Sequence, residues 1–313
     1  MNIDKLTYFS YLSIKRNLLL PLKKFMSFNE IIECIYFKNY KNNFFPLPFF
    51  LSASANDLKE IDKNIINLFY KNKNIGSIKV ESISLFKKRD ILDFFFNENS
   101  KFYSHPYYEY INNSNDFIIE TSNFNTEKLP LKKNKKYIGF ATRNIPHKGH
   151  EKIVKHFSKK NNVLVLITED SSNNKKINSD NTVLAYKTFI KKNSLSNKVD
   201  LIKVQSPSFL LGPRQAAIHA MIGKNLNCNQ FIIGRDHSGY GNFYKTFESF
   251  NFCKNNEKKM NIKIIESGSP IYCRVCKKVS FRKDCKCNNF FDISASLIRK
   301  TKNKKLKKKL TNF

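Results

Sequence analysis

Residues 137–153 read YIGFATRNIPHKGHEKI, and the fold class turns on how they are read. Residues 137–141 form a short apolar run of the length and composition expected for a buried strand. A loop follows that carries Thr142, Arg143, Asn144, His147 and His150, and a helix is expected from Gly149 onward. Two histidines spaced H-x-G-H at a strand-to-helix junction sit where backbone N–H groups and the helix dipole favour anions. Such a place suits the phosphates of a nucleoside triphosphate. Imidazoles that donate hydrogen bonds can stabilise charge that develops on phosphate oxygens.

Working outward, apolar segments and amphipathic segments alternate. The pattern predicts a helix over 149–158, a strand over 162–168, a helix over 182–192 and a strand over 199–205. A helix over 213–225 and a strand over 229–234 complete it. This alternation predicts a parallel sheet with right-handed crossovers. Residues 211–244 read LGPRQAAIHAMIGKNLNCNQFIIGRDHSGYGNFY. Gly212 and Pro213 read as an N-cap and a first-turn proline. Ala216, Ala217, Ala220, Met221 and Leu226 then give a largely apolar helix. Phe231, Ile232 and Ile233 make a short buried strand, and Gly234, Arg235, Asp236 and His237 follow at its carboxyl end. Open α/β sheets bind ligands outside the carboxyl ends of their strands. Both polar clusters are therefore expected to share one site.

Residues 1–130 read differently. Short segments at 44–51, 75–85 and 117–121, separated by Asn/Lys/Ser-rich turns, alternate with helices near 28–36 and 89–96. This is the pattern of a β-rich α+β domain. The aromatic stretch 102–110, FYSHPYYEY, is expected to pack a domain interface, and 122–136 is expected to be a polar, basic linker. The predicted division is 1–130 and 134–313.

Cys273, Cys276, Cys285 and Cys287 make C-x2-C-x8-C-x-C in a knuckle at about 270–290. Thiolates at that spacing can converge tetrahedrally on zinc, and four protein ligands leave no open position, so a zinc there would be structural. Cys34, Cys228 and Cys253 stand apart and read as small hydrophobes.

The chain has 313 residues, enough for two cores, and a net charge of +31 from 56 Lys+Arg against 25 Asp+Glu. The basic residues are spread evenly and accompany no nucleic-acid-binding motif, so no specific nucleic-acid partner is expected. Their field should steer anionic substrates. The run 300–309, KTKNKKLKKK, is expected to be a solvated terminal helix or tail. No signal peptide is read in 1–13, and the apolar patch 44–53 is too short to span a bilayer. A C-x2-C cluster with no secretory signal fits the cytoplasm. No G-x-x-x-x-G-K-[ST] occurs, which argues against a P-loop kinase domain, and no kinase-like extension is expected past Phe313.

Taken together, four motifs resemble those of the ATP sulfurylases (sulfate adenylyltransferases), a branch of the H-x-G-H nucleotidylyltransferases. They are Thr142-Arg143-Asn144 with His147 and His150, Gly212-Pro213-Arg214-Gln215-Ala216, Gly234-Arg235-Asp236-His237-Ser238-Gly239, and Ile293-Ser294-Ala295-Ser296-Leu297-Ile298-Arg299. The chain is similar to a divergent member. The resemblance implies a Rossmann-like parallel-sheet domain behind a PUA-like domain, and adenylyl transfer from Mg·ATP to sulfate with release of pyrophosphate. It assigns Thr142, Arg143, Asn144, His147 and His150 to catalysis, and these with Ala141, Gly234, Arg235, Asp236 and His237 to ATP. Arg143 and Ser238 would hold the acceptor, and Arg214 and Arg299 are further candidates for phosphate contacts. The family carries Y-C-x-x-C and a His at the knuckle, where this chain has Tyr272 to Cys276 and Cys287. Two departures fall on the acceptor side: Ala141 stands where the family has Gln, and Ser238 where it has Ala. They keep open a different small anion, such as a phosphate ester or sulfonate. A silent binding protein would be expected to have lost part of these motifs. The oligomeric state is left open.

Overall fold

The computed structural model describes residues 1–96, 103–127, 129, 135–169, 179–301 and 304–311. Parts of the expected linker, of the basic run and the first residue of the aromatic stretch lie outside the described residues.

The amino-terminal part contains helices α1 (Lys5–Lys15), α2 (Phe28–Phe37), α3 (Ala55–Lys59), α4 (Lys88–Phe96) and α5 (Pro106–Asn112). Its strands are β1 (Asn39–Tyr40), β2 (Asn43–Phe44), β3 (Leu51–Ala53), β4 (Ile65–Tyr70), β5 (Lys73–Leu85) and β6 (Phe117–Thr121). Strands β3, β6, β5 and β4 form an antiparallel sheet in that order. Helix α1, which the sequence reading passed over, starts where Asp4 accepts the Thr7 amide at 2.8 Å. Helix α2 starts in a reciprocal capping box between Ser27 and Glu30. The strand expected over 44–51 is corrected: pairing stops at Phe44 and resumes at Leu51. Pro46 and Pro48 lie between, and neither can donate to a ladder.

The carboxyl-terminal part runs β7 (Tyr137–Thr142), α6 (Lys148–Ser158), β8 (Val163–Thr168), α7 (Ser179–Lys192), β9 (Val199–Val204), α8 (Gly212–Asn225) and β10 (Cys228–Ile233). Helices α9 (Glu248–Asn255) and α10 (Glu257–Met260) then lead to β11 (Lys263–Glu266). The five strands are all parallel, in the order β11-β10-β7-β8-β9. Every residue of β7 and β8 is buried, as expected of strands covered by helices on both faces. The chain leaves β7 toward β8 and β9, then returns through α8 to β10 on the other side of β7. The carboxyl ends of β7 and β10 thus flank a topological switch point, where open α/β sheets bind ligands.

Close packing supports this arrangement. The Phe231 ring fills the space over Gly139 and Gly223, where an added Cβ would stand 2.5 Å from its Cδ2 on either side. A larger residue at either glycine would overpack the junction of β7, β10 and α8. The N-cap of α8 is Leu211 rather than the expected Gly212, and it makes no side-chain cap. Gly212 is the first residue of α8 and takes a left-handed φ of +45, with the Tyr244 ring 2.7 Å from where a Cβ would sit.

Strands β12 (Pro270–Cys273), β13 (Lys278–Phe281) and β14 (Phe290–Asp292) form a small antiparallel sheet, followed by α11 (Ala295–Lys300) and α12 (Lys304–Leu310). Within the basic run, Lys307 and Lys309 are exposed, while Leu310 is fully buried against Tyr272, Ile293 and Ile298. The aromatic stretch packs an interface as expected: Tyr107 and Tyr110 meet Phe209 at 5.1 and 5.2 Å between ring centroids. Among the described residues, no helix is long and apolar enough to cross a membrane.

Candidate active site

The loops after β7 and β10 meet over a cavity of about 240 Å³. Ala141, Thr142, Arg143, Asn144, His147 and His150 line it from one side, and Gly234, Arg235, Asp236, His237 and Ser238 from the other. Ile293, Ser294 and Ala295 close it from the start of α11. The two polar clusters of the sequence, some ninety positions apart, thus face one another.

The H-x-G-H turn is built on its own helix. His147 is the N-cap of α6, and its Nδ1 accepts the backbone N–H of His150 at 3.3 Å. A nitrogen that accepts cannot carry the proton, so the neutral ring bears it on Nε2. His147 lies almost flat on His150, with centroids 3.8 Å apart at 26°. Phe140 meets the His150 ring edge-on at 5.5 Å. Gly149 makes the fold-back possible, because a Cβ there would stand 3.0 Å from the His147 ring. Burial, with the nearby Arg299 charge, lowers the His147 pKa to about 4. Burial and the neighbouring His147 hold His150 well below the usual histidine range. The buried Nδ1 of His150 has no hydrogen-bond partner among the described residues.

The T-R-N loop is held at both ends. Thr142 Oγ1 accepts the Asn144 amide at 3.2 Å, and Asn144 Oδ1 accepts from Arg299 Nη1 at 2.9 Å. That bond ties the loop to α11. Thr311, at the end of α12, pairs with His147 as an isolated antiparallel bridge. Arg143 lies between these anchors, half-buried, with no carboxylate within ion-pair distance among the described residues.

The other wall differs. Arg235 pairs with Asp236 at 3.0 Å and with Asp292 of β14, so its charge is shared between two carboxylates. Ser238 adopts a left-handed backbone at φ 58, and its carbonyl accepts the Gly212 amide at 3.0 Å. Ser249 donates to the His237 carbonyl at 2.9 Å. Burial lowers the His237 pKa to about 4.

Arg214 is corrected. It lies outside the cavity and donates to the backbone carbonyls of Pro46 and Ile35, at 2.6 and 2.8 Å, with its guanidinium over Phe94 and Phe95. It joins the two halves of the chain rather than contacting a phosphate. Arg299 sits beside the cavity through Asn144.

Sequence reasoning missed His219, which lines the cavity and lies 3.0 Å from His237. Its signal was the i,i+4 spacing from Gln215 on a helix whose polar residues are few.

At the knuckle, Cys273, Cys276, Cys285 and Cys287 place their sulfurs within 4.8 Å of one another, and Cys276 and Cys287 approach to 3.6 Å. Four thiolates at about 2.3 Å from a tetrahedral zinc stand roughly 3.8 Å apart, so this donor set fits a metal ion. The Cys276 amide donates to Cys273 Sγ at 3.3 Å, and this hydrogen bond lowers the Cys273 pKa to about 7. Cys34, Cys228 and Cys253 are buried singly, as expected.

Comparison with known proteins matches two families to the chain. The ATP-sulfurylase family matches residues 121–307, and a PUA-like domain family matches residues 1–120. A sulfate adenylyltransferase of Carboxydothermus hydrogenoformans is 32% identical over 155 residues, covering 48% of this chain and 40% of that protein. One of Ignicoccus hospitalis is 24% identical over 294 residues, covering 85% of this chain and 74% of the other. The first of these alignments thus takes in less than half the length of the relative. Among solved structures, the hexameric APS kinase from Thiobacillus denitrificans shares the fold at a TM-score of 0.65 and 10% identity, over 96% of this chain and 57% of that one.

Proposed function

The chain belongs to the ATP-sulfurylase family, and from that membership we propose that it transfers the adenylyl group of ATP to sulfate. A sulfate oxygen attacks the α-phosphorus in line. The new S–O–P linkage forms as the bond from the α-phosphorus to the bridging oxygen breaks, and pyrophosphate leaves with that electron pair. Magnesium arrives with ATP as part of the substrate. The observation that carries the reading is the meeting of the T-R-N, H-x-G-H and G-R-D-H loops over one cavity at the switch point.

No covalent enzyme intermediate is needed, so catalysis is positioning and electrostatics. Thr142, Arg143 and Asn144 act at the reacting phosphate and acceptor. His147 offers Nε2–H, and with His150 it receives the charge that grows on the leaving pyrophosphate. Gly234, Arg235, Asp236 and His237 form the adenosine wall, with Arg235 held rigid by its two carboxylates. Arg143, with no carboxylate partner among the described residues, is a cation available to an oxyanion, which its planar fork can bind through two parallel bonds. The division is a PUA-like domain over 1–130 and a Rossmann-like nucleotidylyltransferase domain over 134–313. Zinc at the four cysteines would brace the small sheet whose β14 supplies Asp292, and such thiolates suit the reducing cytoplasm.

A second reading keeps the chemistry and changes the acceptor. Ala141 lines the cavity where the family has a side-chain amide, which leaves room for an anion larger than sulfate. Exchange of labelled pyrophosphate into ATP, with sulfate, sulfonates and phosphate esters supplied in turn, decides between them. Stimulation by sulfate supports the first reading. Stimulation by another anion alone supports the second, and exchange with none refutes adenylyl transfer.

A further inference from the structure

The H-x-G-H side of the parallel sheet holds a buried hydroxyl that the chemistry above leaves unused. Tyr186, on α7, is completely buried. It packs in one cluster with Phe140 of β7 and Ile167 of β8. Residues i and i+2 of a strand face the same way, so Thr142 stands on that same face at the carboxyl end of β7. Burial pushes the Tyr186 hydroxyl pKa up, the Thr142 side chain opposes that rise, and Glu151 of α6 adds to it. Thr142 and Glu151 are thus the polar side chains that bear on this hydroxyl. Yet the Tyr186 hydroxyl completes no hydrogen bond among the described residues. Its ring is packed in, so it cannot swing out to water. A buried polar group of this kind costs stability in the resting chain and points to a partner gained in another state.

Thr142 supplies the complement. A threonine hydroxyl has one proton to donate and two sites that accept. One site already takes the Asn144 amide at 3.2 Å. A Tyr186 O–H donated to the second site would leave Thr142 able only to donate, and Thr142 lines the cavity. Hydrogen bonds of an active site are often long without substrate and tighten around the reacting complex.

We propose that Tyr186 is a positioning residue: in the substrate complex its hydroxyl donates to Thr142 Oγ1 and so commits the Thr142 proton to an oxygen of the reacting phosphate. The proposal rests on the role given to Thr142 above. The bonds run in series from Tyr186 to Thr142 to the phosphate, and each polarises the next. Stability and rate then respond with opposite signs. Removing the Tyr186 hydroxyl relieves the resting chain of an unpaired polar group and takes a bond away from the transition state.

Tyr186→Phe in the full chain tests this. Without substrates it should melt at or above the temperature of the parent. In ATP formation from adenylyl sulfate and pyrophosphate, its kcat should fall about 10- to 100-fold, with KM for both substrates kept within about twofold. Thr142→Val should lose at least as much, and adding Tyr186→Phe to it should cost nothing further, because Tyr186 acts through that oxygen. A Tyr186→Phe chain that melts below the parent, or fails to fold, has lost a bond already made in the resting chain and overturns the proposal. An active parent matched in kcat by Tyr186→Phe overturns it too, as does a full further loss in the Thr142→Val background. Each of these results leaves adenylyl transfer standing. A parent that forms no ATP overturns the reading of the site, and this role for Tyr186 with it.

Discussion

The imidazole of His147 lies 3.8 Å from that of His150, centroid to centroid, and 26° from parallel to it. Two imidazolium ions could not stack in this way, so the pair is built to be neutral until an anion arrives. Under the proposed function, the histidines would meet phosphates as neutral donors rather than as fixed charges, and Arg143 would carry the charge.

A pH dependence of stability follows. His147 ionises at about 4 in the folded chain instead of the ordinary 6.5, chiefly through burial. Between these values the unfolded chain binds more protons, so stability is complete above pH 6.5 and is lost as pH falls toward 4. At about 1.4 kcal/mol per pH unit, this side chain accounts for about 3 kcal/mol of the loss. Melting temperatures measured from pH 7.5 to 4 should fall less steeply for His147→Asn, which keeps an acceptor for the α6 N-terminus. Equal slopes would contradict the burial argument.

Gly149→Ala tests the turn itself. The added methyl would stand 3.0 Å from the His147 ring and displace it. Turnover should drop about 10- to 100-fold while the melting temperature changes little, because the site is disturbed and the core is not. Unchanged turnover would show that the His147 position does not matter.

The two site arginines should separate. Arg143→Ala removes a cation that no carboxylate among the described residues neutralises and should lower turnover by about 10²- to 10³-fold. Arg235→Ala breaks the ties to Asp236 and Asp292 and should act mainly on stability and ATP affinity. Steady-state kinetics of the pair beside thermal melts read the difference, and equal kinetic losses would contradict it.

For the knuckle, the purified chain should carry one zinc, and Cys276→Ser should lose it and melt several degrees lower with the chemistry retained. Metal analysis and calorimetry check this. A chain that contains no metal and melts as Cys276→Ser does would refute the structural role.

Much of this was legible in the sequence because two periodic signals dominate it. Residues 137–142 and 163–168 are buried on both faces and read as continuous apolar runs. The polar loops that follow such strands can only emerge at the carboxyl edge. What stayed hidden depended on partners distant in sequence. Arg214 looked like a phosphate contact until Pro46 and Ile35 were seen to receive its donors. His219 sits in a largely apolar helix, and its partner His237 lies 18 positions further along the chain. Helix α1 carries polar residues among its buried ones, Ser10 and Ser13 included, which blurred its period.

The central claim is adenylyl transfer to sulfate, and the reverse reaction tests it most directly. Purified chain given adenylyl sulfate, magnesium and pyrophosphate should form ATP, followed continuously by luminescence, and Arg143→Ala should cut the rate by about 10²- to 10³-fold. A well-folded chain that binds ATP yet forms none from adenylyl sulfate and pyrophosphate would contradict the account.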